Sequence, residues 1–307
     1  MKKLTATSIM ALALAMSAQS ASAADYDAQI QQLVVSGIVD SWNGYTFIGN
    51  QGGANADVDP DSYFSSGLSG RLSLPLGENL TIQMDGDLEY TDNAFDEDGD
   101  DAFDYSGQLG AHLTYRDPGM GAFGAFGAFG AGRGDDQRND FVAVGGEAQL
   151  YLNDLTFYVQ AGYLDGYVQD ADREDAFHDA VFVRGVARWF MTPDSRLQAQ
   201  VAYVDGHQDT GDSYEMDIVE WGVRYDMILA GLPVIGDTPV YVGYRGARFD
   251  NEGAGPGADD GQYTEHTIMV GTTYAFGGNS MREFDRVGAT LDLPNFGRWV
   301  ASGQSLD

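Results

Sequence analysis

The sequence predicts an all-β fold, a transmembrane antiparallel up-and-down β-barrel of about 12 strands. Three observations predict it. Apolar and polar residues alternate with period 2 over a dozen segments, each near the length that crosses a bilayer at a tilt. The connections alternate between short turns and longer, more acidic loops. Beyond residue 23 no run of 18 apolar residues remains, which excludes ordinary transmembrane helices.

The first element is an export signal. Lys2 and Lys3 precede an apolar run from Ile9 to Met16, and Ala21-Ser22-Ala23 supplies a small-residue cleavage site. That run is too short to span a membrane as a helix. Cleavage after Ala23 removes both lysines of the chain. It leaves 14 arginines against 47 acids, a formal charge of −33. Such acidity argues against nucleic acid as a partner, because phosphate binding needs cationic side chains. The chain has no cysteine, so disulfides and thiolate chemistry are excluded.

Twelve strands are read at 34–47, 63–74, 80–91, 103–115, 120–130, 141–152, 155–168, 180–191, 196–206, 214–229, 239–249 and 263–276. The third alternates most cleanly: Leu80, Ile82, Met84, Leu88 and Tyr90 against Thr81, Gln83, Asp85, Asp87 and Glu89. One face suits lipid and the other water. The fifth holds a three-residue repeat, Gly121-Ala-Phe through Phe129-Gly130. A period of three cannot keep one residue type on one face. Phe123 and Phe129 should therefore face one way and Phe126 the other. Residues 277–307 lack strand alternation. They are expected to lie in the periplasm, cap the pore, or sit inside the barrel.

The last strand ends Thr267-Ile-Met-Val-Gly271-Thr-Thr-Tyr274-Ala-Phe276. Ile268, Val270, Tyr274 and Phe276 share a face with Thr272. Met269, Gly271, Thr273 and Ala275 share the other with Thr267. This glycine followed by alternating aromatics resembles the closing strand of Gram-negative bacterial outer-membrane β-barrels. The aromatic is usually the last residue of the chain in that family, and here 31 residues follow it. The resemblance implies a signal peptide over 1–23, a barrel over 24–276 and a periplasmic or lumen-plugging tail over 277–307. It also implies outer-membrane localisation, surrounding lipids and lipopolysaccharide, and assistance from the barrel-assembly machinery during biogenesis.

Alternation assigns each strand charge to a face, and a charge near the middle of the lipid face costs a few kcal/mol. Strands one to six should then place acids inside: Asp40, Asp85, Asp87, Glu89, Asp104 and Glu147, with Arg71 the exception. Strands eight, ten and eleven should place Arg184, Arg188, Arg224 and Arg245 inside, with Glu220 and Asp226 among them. Gln108, His112, Gln149, Gln160, Gln198 and Gln200 fill polar positions between. Porins, which this chain resembles in architecture, set acids and arginines on opposed walls across a water-filled constriction. The alternative is that the two signs pair across a narrow barrel and close it.

Other chemistry finds little support. Asp96, Asp98 and Asp100 stand at alternate positions in an acidic loop, a pattern of hard oxygen ligands that suits Ca2+. The loop lacks the full EF-hand spacing, and a solvated acidic loop is the plainer reading. Asp57, Asp59 and Asp61 form a fainter echo. No two of His112, His178, His207 and His266 have metal-ligand spacing. His112 with Ser106, or His266 with Asp259 and Asp260, are the conceivable catalytic pairs. Gly67-Leu-Ser69-Gly70 falls short of a nucleophile elbow.

The expectation is a porin-like channel that catalyses nothing, binds no cofactor beyond Ca2+ at its acidic loops, and passes ions or small polar solutes with mild cation preference. The alternative is a closed structural or surface-binding barrel without transport.

Overall fold

The computed structural model describes residues 33–50, 62–91, 103–134, 137–168, 177–209, 213–232, 236–253 and 261–302. The region read as an export signal lies outside them. So do Asp57, Asp59, Asp61, the acidic loop with Asp96, Asp98 and Asp100, and the Asp259-Asp260 pair.

Twelve antiparallel strands close on themselves. They are β1 (Ser36–Asn50), β2 (Ser62–Pro75), β3 (Leu80–Thr91), β4 (Tyr105–Asp117), β5 (Gly121–Gly134) and β6 (Gln137–Leu152). Then come β7 (Leu155–Val168), β8 (His178–Thr192), β9 (Ser195–Asp209), β10 (Ser213–Leu232), β11 (Gly236–Gly253) and β12 (Gly261–Phe276). Each pairs with its sequence neighbours, and β1 pairs with β12 from Gly37↔Phe276 to Asn50↔Tyr263. Closure satisfies every ladder and leaves no open edge. All twelve sequence-read strands are present.

Several strands run longer than their apolar alternation. β5 and β6 are separated by two residues, and β9 and β10 by three, where longer loops were expected. Backbone pairing needs no apolar side chain, so a ladder continues through Gly132-Arg133-Gly134 above the band that alternation marks.

The two faces of the sheet differ as the period-2 pattern requires. Outward positions carry Leu68, Leu88, Leu109, Val144, Val201 and Val270, all exposed. Aromatics gather towards both ends of this belt: Tyr45, Phe47, Tyr90, Tyr163 and Tyr203 near the long loops, and Tyr115, Phe123, Trp189, Tyr274 and Phe276 near the short turns. In water such an encircling apolar surface would far exceed what monomers tolerate. It is the surface that a bilayer solvates. The Gly-Ala-Phe repeat obeys the same rule, with Phe123 and Phe129 at 63% and 59% exposure and Phe126 at 5%. A Cβ at Gly124 would meet the Leu113 carbonyl oxygen of β4 at 2.2 Å, so the repeat also allows a close strand approach.

Two short helices follow the barrel, α1 (Met281–Val287) and α2 (Phe296–Ser302). The Ser280 hydroxyl caps α1 by accepting from the Glu283 N–H at 3.1 Å, and Glu283 reaches back to the Asn279 N–H at 3.1 Å.

A Val144→Arg substitution on the outward face should destabilise the barrel by about 2–4 kcal/mol in denaturant titration from lipid vesicles. Unchanged stability would contradict a lipid-facing belt at that position.

Candidate functional site

The inner face forms a tube, and the chain's own C-terminal segment threads it. The turn into the tube occurs at Gly277, whose φ of +94° places a hypothetical Cβ 2.6 Å from the Val35 carbonyl oxygen. Only glycine fits there. α1 then lies across the short-turn mouth. The Arg282 N–H donates to the Pro193 carbonyl at 3.1 Å, and its guanidinium reaches Asp154. Arg286 donates to the Asn153 carbonyl at 2.7 Å.

Residues 288–295 climb the lumen without regular secondary structure, and wall side chains donate to several of their carbonyls. Arg188 donates to Thr290 O at 3.0 Å, Gln83 to Leu291 O at 2.6 Å and Gln108 to Pro294 O at 2.8 Å. α2 sits at the long-loop end, where Asn139 donates to Val300 O at 2.8 Å. There Phe296 and Trp299 are fully buried among Phe126, Phe141 and Phe182, with ring centroids 5.2 Å apart for Phe182 and Phe296.

Asp285, Asp292 and Arg298 of this segment each meet wall charges of the opposite sign. Arg184 and Arg188 point inward from β8. Asp292 bridges them, with Arg184 Nη2 at 2.5 Å and Arg188 Nη2 at 2.7 Å. Asp285 takes the second amino group of Arg188 at 2.9 Å and the Thr156 hydroxyl at 2.5 Å. On the other side, Arg298 spans Glu89 at 2.6 Å and Glu265 at 2.5 Å. Glu89 also takes Arg245 at 2.6 Å, and Glu220 accepts from the Trp299 indole at 3.2 Å. Asp292 lies outside the strands. Burial alone would raise its pKa, but the Arg184 and Arg188 guanidiniums outweigh this and hold it well below the usual carboxylate range.

Several of the other wall charges pair among themselves. Asp40 binds Arg71 at 2.9 Å and Arg224 at 3.1 Å, and Asp226 binds Arg224 at 2.6 Å and Arg196 at 3.0 Å. His112 lies between Asp85 at 3.1 Å and Glu147 at 2.8 Å. Both its ring nitrogens are thereby engaged. Ser106 bonds instead to Asn295 at 3.3 Å, so the two do not form a catalytic pair. His266 bonds outward, to the Tyr244 hydroxyl at 2.7 Å.

Alternation thus placed Asp40, Arg71, Asp85, Asp87, Glu89, Glu147, Arg184, Arg188, Glu220, Arg224 and Arg245 on the tube's inner face, and the structure has them there. Asp104 differs. It precedes β4 and pairs with part-exposed Arg133 at 3.1 Å, at the loop end. The expected water-filled constriction between opposed walls also differs, because the segment occupies it and links the walls. What remains is a cavity of about 230 Å³ beside residues 292–295, lined by Asp40, Arg71, Asp87, Arg196, Arg224 and Arg245 among others.

Sequence reasoning missed Arg196, Glu265, Asp285, Asp292 and Arg298. Glu265 shares the parity of Thr267 and was assignable to the inner face. The Ser280 and Glu283 spacing could have revealed α1. Nothing in period 2 could have placed Asp292 or Arg298.

No known protein-family model matches the chain, and no curated relative matches it. Solved structures similar to it include an outer membrane channel from Pseudomonas putida F1, at 13% identity over 81% of this chain and 100% of that one, with a TM-score of 0.48. The translocator domain of the autotransporter NalP from Neisseria meningitidis shows 13% identity over 79% and 88%, with a TM-score of 0.42. An anion-selective porin from Comamonas acidovorans shows 12% identity over 80% and 99%, with a TM-score of 0.37. The architecture itself is a closed twelve-stranded antiparallel barrel with an exposed apolar belt. At such identities no activity transfers from these proteins to this chain.

Two outcomes follow for the threaded segment. Arg298→Met leaves Glu265 without its cation, a change of about 3–5 kcal/mol for a buried pair. Trypsin should then cut at Arg282 and Arg286 much faster than in the unaltered protein. Because the Asp292 pKa is depressed, its ion pairs contribute fully above about pH 4 and are lost only as pH falls through the depressed value. The segment should stay protected from an acid-active protease at about pH 4.5. Release at that pH would contradict the Arg184 and Arg188 pairing.

Proposed function

We propose that the protein is a porin-like channel of the Gram-negative outer membrane, exported by a cleaved signal, whose path residues 281–302 close from within. Ions or small polar solutes pass when the segment leaves the lumen, and no reaction is catalysed. One observation carries the reading: the wall around residues 285–295 is rich in arginine, carboxylate, glutamine and threonine, with apolar contacts from Ile38, Tyr158 and Val186 between them. A barrel that needed only a permanent core would be at least as stable with an apolar filling, since buried ion pairs seldom surpass well-packed hydrophobic replacements. A polar wall is what an emptied lumen needs in order to hold water.

With the segment gone, Arg184 and Arg188 lose their carboxylates, while the acidic wall keeps Asp85, Asp87, Glu89 and Glu147. The strongly acidic chain and its outer loops raise the local cation concentration, so a mild cation preference follows. Cations, Ca2+ included, would gather at the loop bearing Asp96, Asp98 and Asp100. The buried aromatic cluster around Phe296 and Trp299 favours a second reading, a permanently closed structural barrel.

Planar-bilayer recording separates the two. The full-length protein should be nearly silent, and a protein ending at Gly277 should give steady steps with a cation-shifted reversal potential. A truncated barrel that folds and stays silent favours the structural reading. Gly132→Ala provides a gentler test in the complete chain. Its Cβ would stand 1.9 Å from the Gly297 carbonyl oxygen, backbone against backbone, so α2 must move. Conductance should rise several-fold, and neutralising Arg184 and Arg188 in the truncated form should strengthen cation preference.

A further inference from the structure

Arg116, on the inner face of β4 at the short-turn end, is fully buried. One of its amino groups, Nη1, donates to the Gly288 carbonyl at the end of α1. Its Nε and Nη2 have no hydrogen-bond partner among the described residues. Across the sheet, the ladder sets Arg116 opposite Ala122, and Ala122 opposite Gln149. All three are buried on the inner face, with only the small alanine between the two long side chains in the register. The Gln149 Nε2 is likewise a buried donor without a partner, while its carbonyl oxygen accepts from Tyr151 at 2.8 Å. A second cation is close, since the Arg286 guanidinium lies 4.3 Å from the Tyr151 ring centroid.

Every unmet group named here is a donor, and the guanidinium is permanently charged. The nearby carboxylates are turned elsewhere: Asp285 to Arg188 and Thr156, and Glu147 to His112, Tyr158 and Gln160. Water would satisfy hydrogen bonds but not the charge. A buried guanidinium without a counter-ion carries a penalty of several kcal/mol. We infer that Arg116 and Gln149, with Arg286 beside them, form a binding site for a small inorganic anion of chloride size, and that its occupancy holds the C-terminal segment in the lumen. The coupling is direct, because the same guanidinium grips Gly288, where the segment turns from α1 into the tube.

The inference rests on the plugged-channel reading only for its consequence. The site itself can be tested without conductance. Tryptic cutting at Arg282 and Arg286 of the full-length protein is compared in sodium chloride and sodium gluconate at equal ionic strength. Gluconate is too large to enter. Chloride at ten times its dissociation constant should slow cutting about tenfold. Arg116→Met removes the charge that needs compensation and should make cutting independent of the anion. Gln149→Leu, which leaves the grip on Gly288 intact, should weaken the chloride effect without abolishing the folded barrel. Identical rates in the two salts overturn the coupling. A bromide-soaked crystal with no anomalous peak beside Arg116 overturns the site. A silent truncated barrel, together with chloride protection of Arg282 and Arg286 in the full-length protein, would refute the channel and leave the anion site standing.

Discussion

The structure depends on charge matching between a tube and the segment inside it. The barrel separates its inner charges by strand order, with acids mainly on β1 to β6 and arginines on β8 to β11. Left facing water this creates a transverse field. Filled by a neutral segment it would bury unpaired charge, which costs several kcal/mol per ion. The C-terminal segment avoids that cost by carrying Asp285 and Asp292 to the arginine wall and Arg298 to the wall of Glu89 and Glu265. Register along the lumen is thereby fixed. A slip of one residue would remove each charge from its partner, whereas an apolar plug could slide.

The two ends of the segment are held differently. At the long-loop end α2 packs Phe296 and Trp299 into an aromatic cluster, and its glycine lets it lie directly on β5. At the short-turn end α1 is a single two-turn helix held by polar contacts to the Asn153 and Pro193 turns and by one small apolar cluster of Phe284 with Ile38 and Ala289. Helices this short have little stability of their own. Their order comes from the wall. On the proposed reading, opening would be a cooperative loss of ion pairs and aromatic packing rather than the swing of an independent domain.

Most of the barrel was legible in the sequence because a transmembrane strand obeys one strict constraint. Lipid on one side and polar lumen on the other force period 2, and this placed Phe126 inward between outward Phe123 and Phe129. The same period puts Arg184, Arg188 and Glu89 on the inner face. Strand ends were less legible, since ladders such as Gly132↔Asn139 continue where the lipid constraint stops. The contents of the lumen were least legible. Residues 288–295 take their conformation from partners more than 100 residues away in sequence, such as Arg188 and Gln83. No local period records that. Asp104 was misassigned for a related reason: parity holds only within a strand, and Asp104 stands just outside one.

The central claim is that residues 288–295 run through the lumen, and one cross-link tests it directly. A Cβ at Gly110 of β4 would stand 2.3 Å from a Leu293 methyl, and the chain has no cysteine of its own. Gly110→Cys with Leu293→Cys shortens that side chain and brings two sulfurs within bonding reach. The account predicts one intramolecular disulfide on mild oxidation of the folded barrel in membranes. Two free thiols in a folded, heat-modifiable barrel would contradict it and place the segment outside the tube.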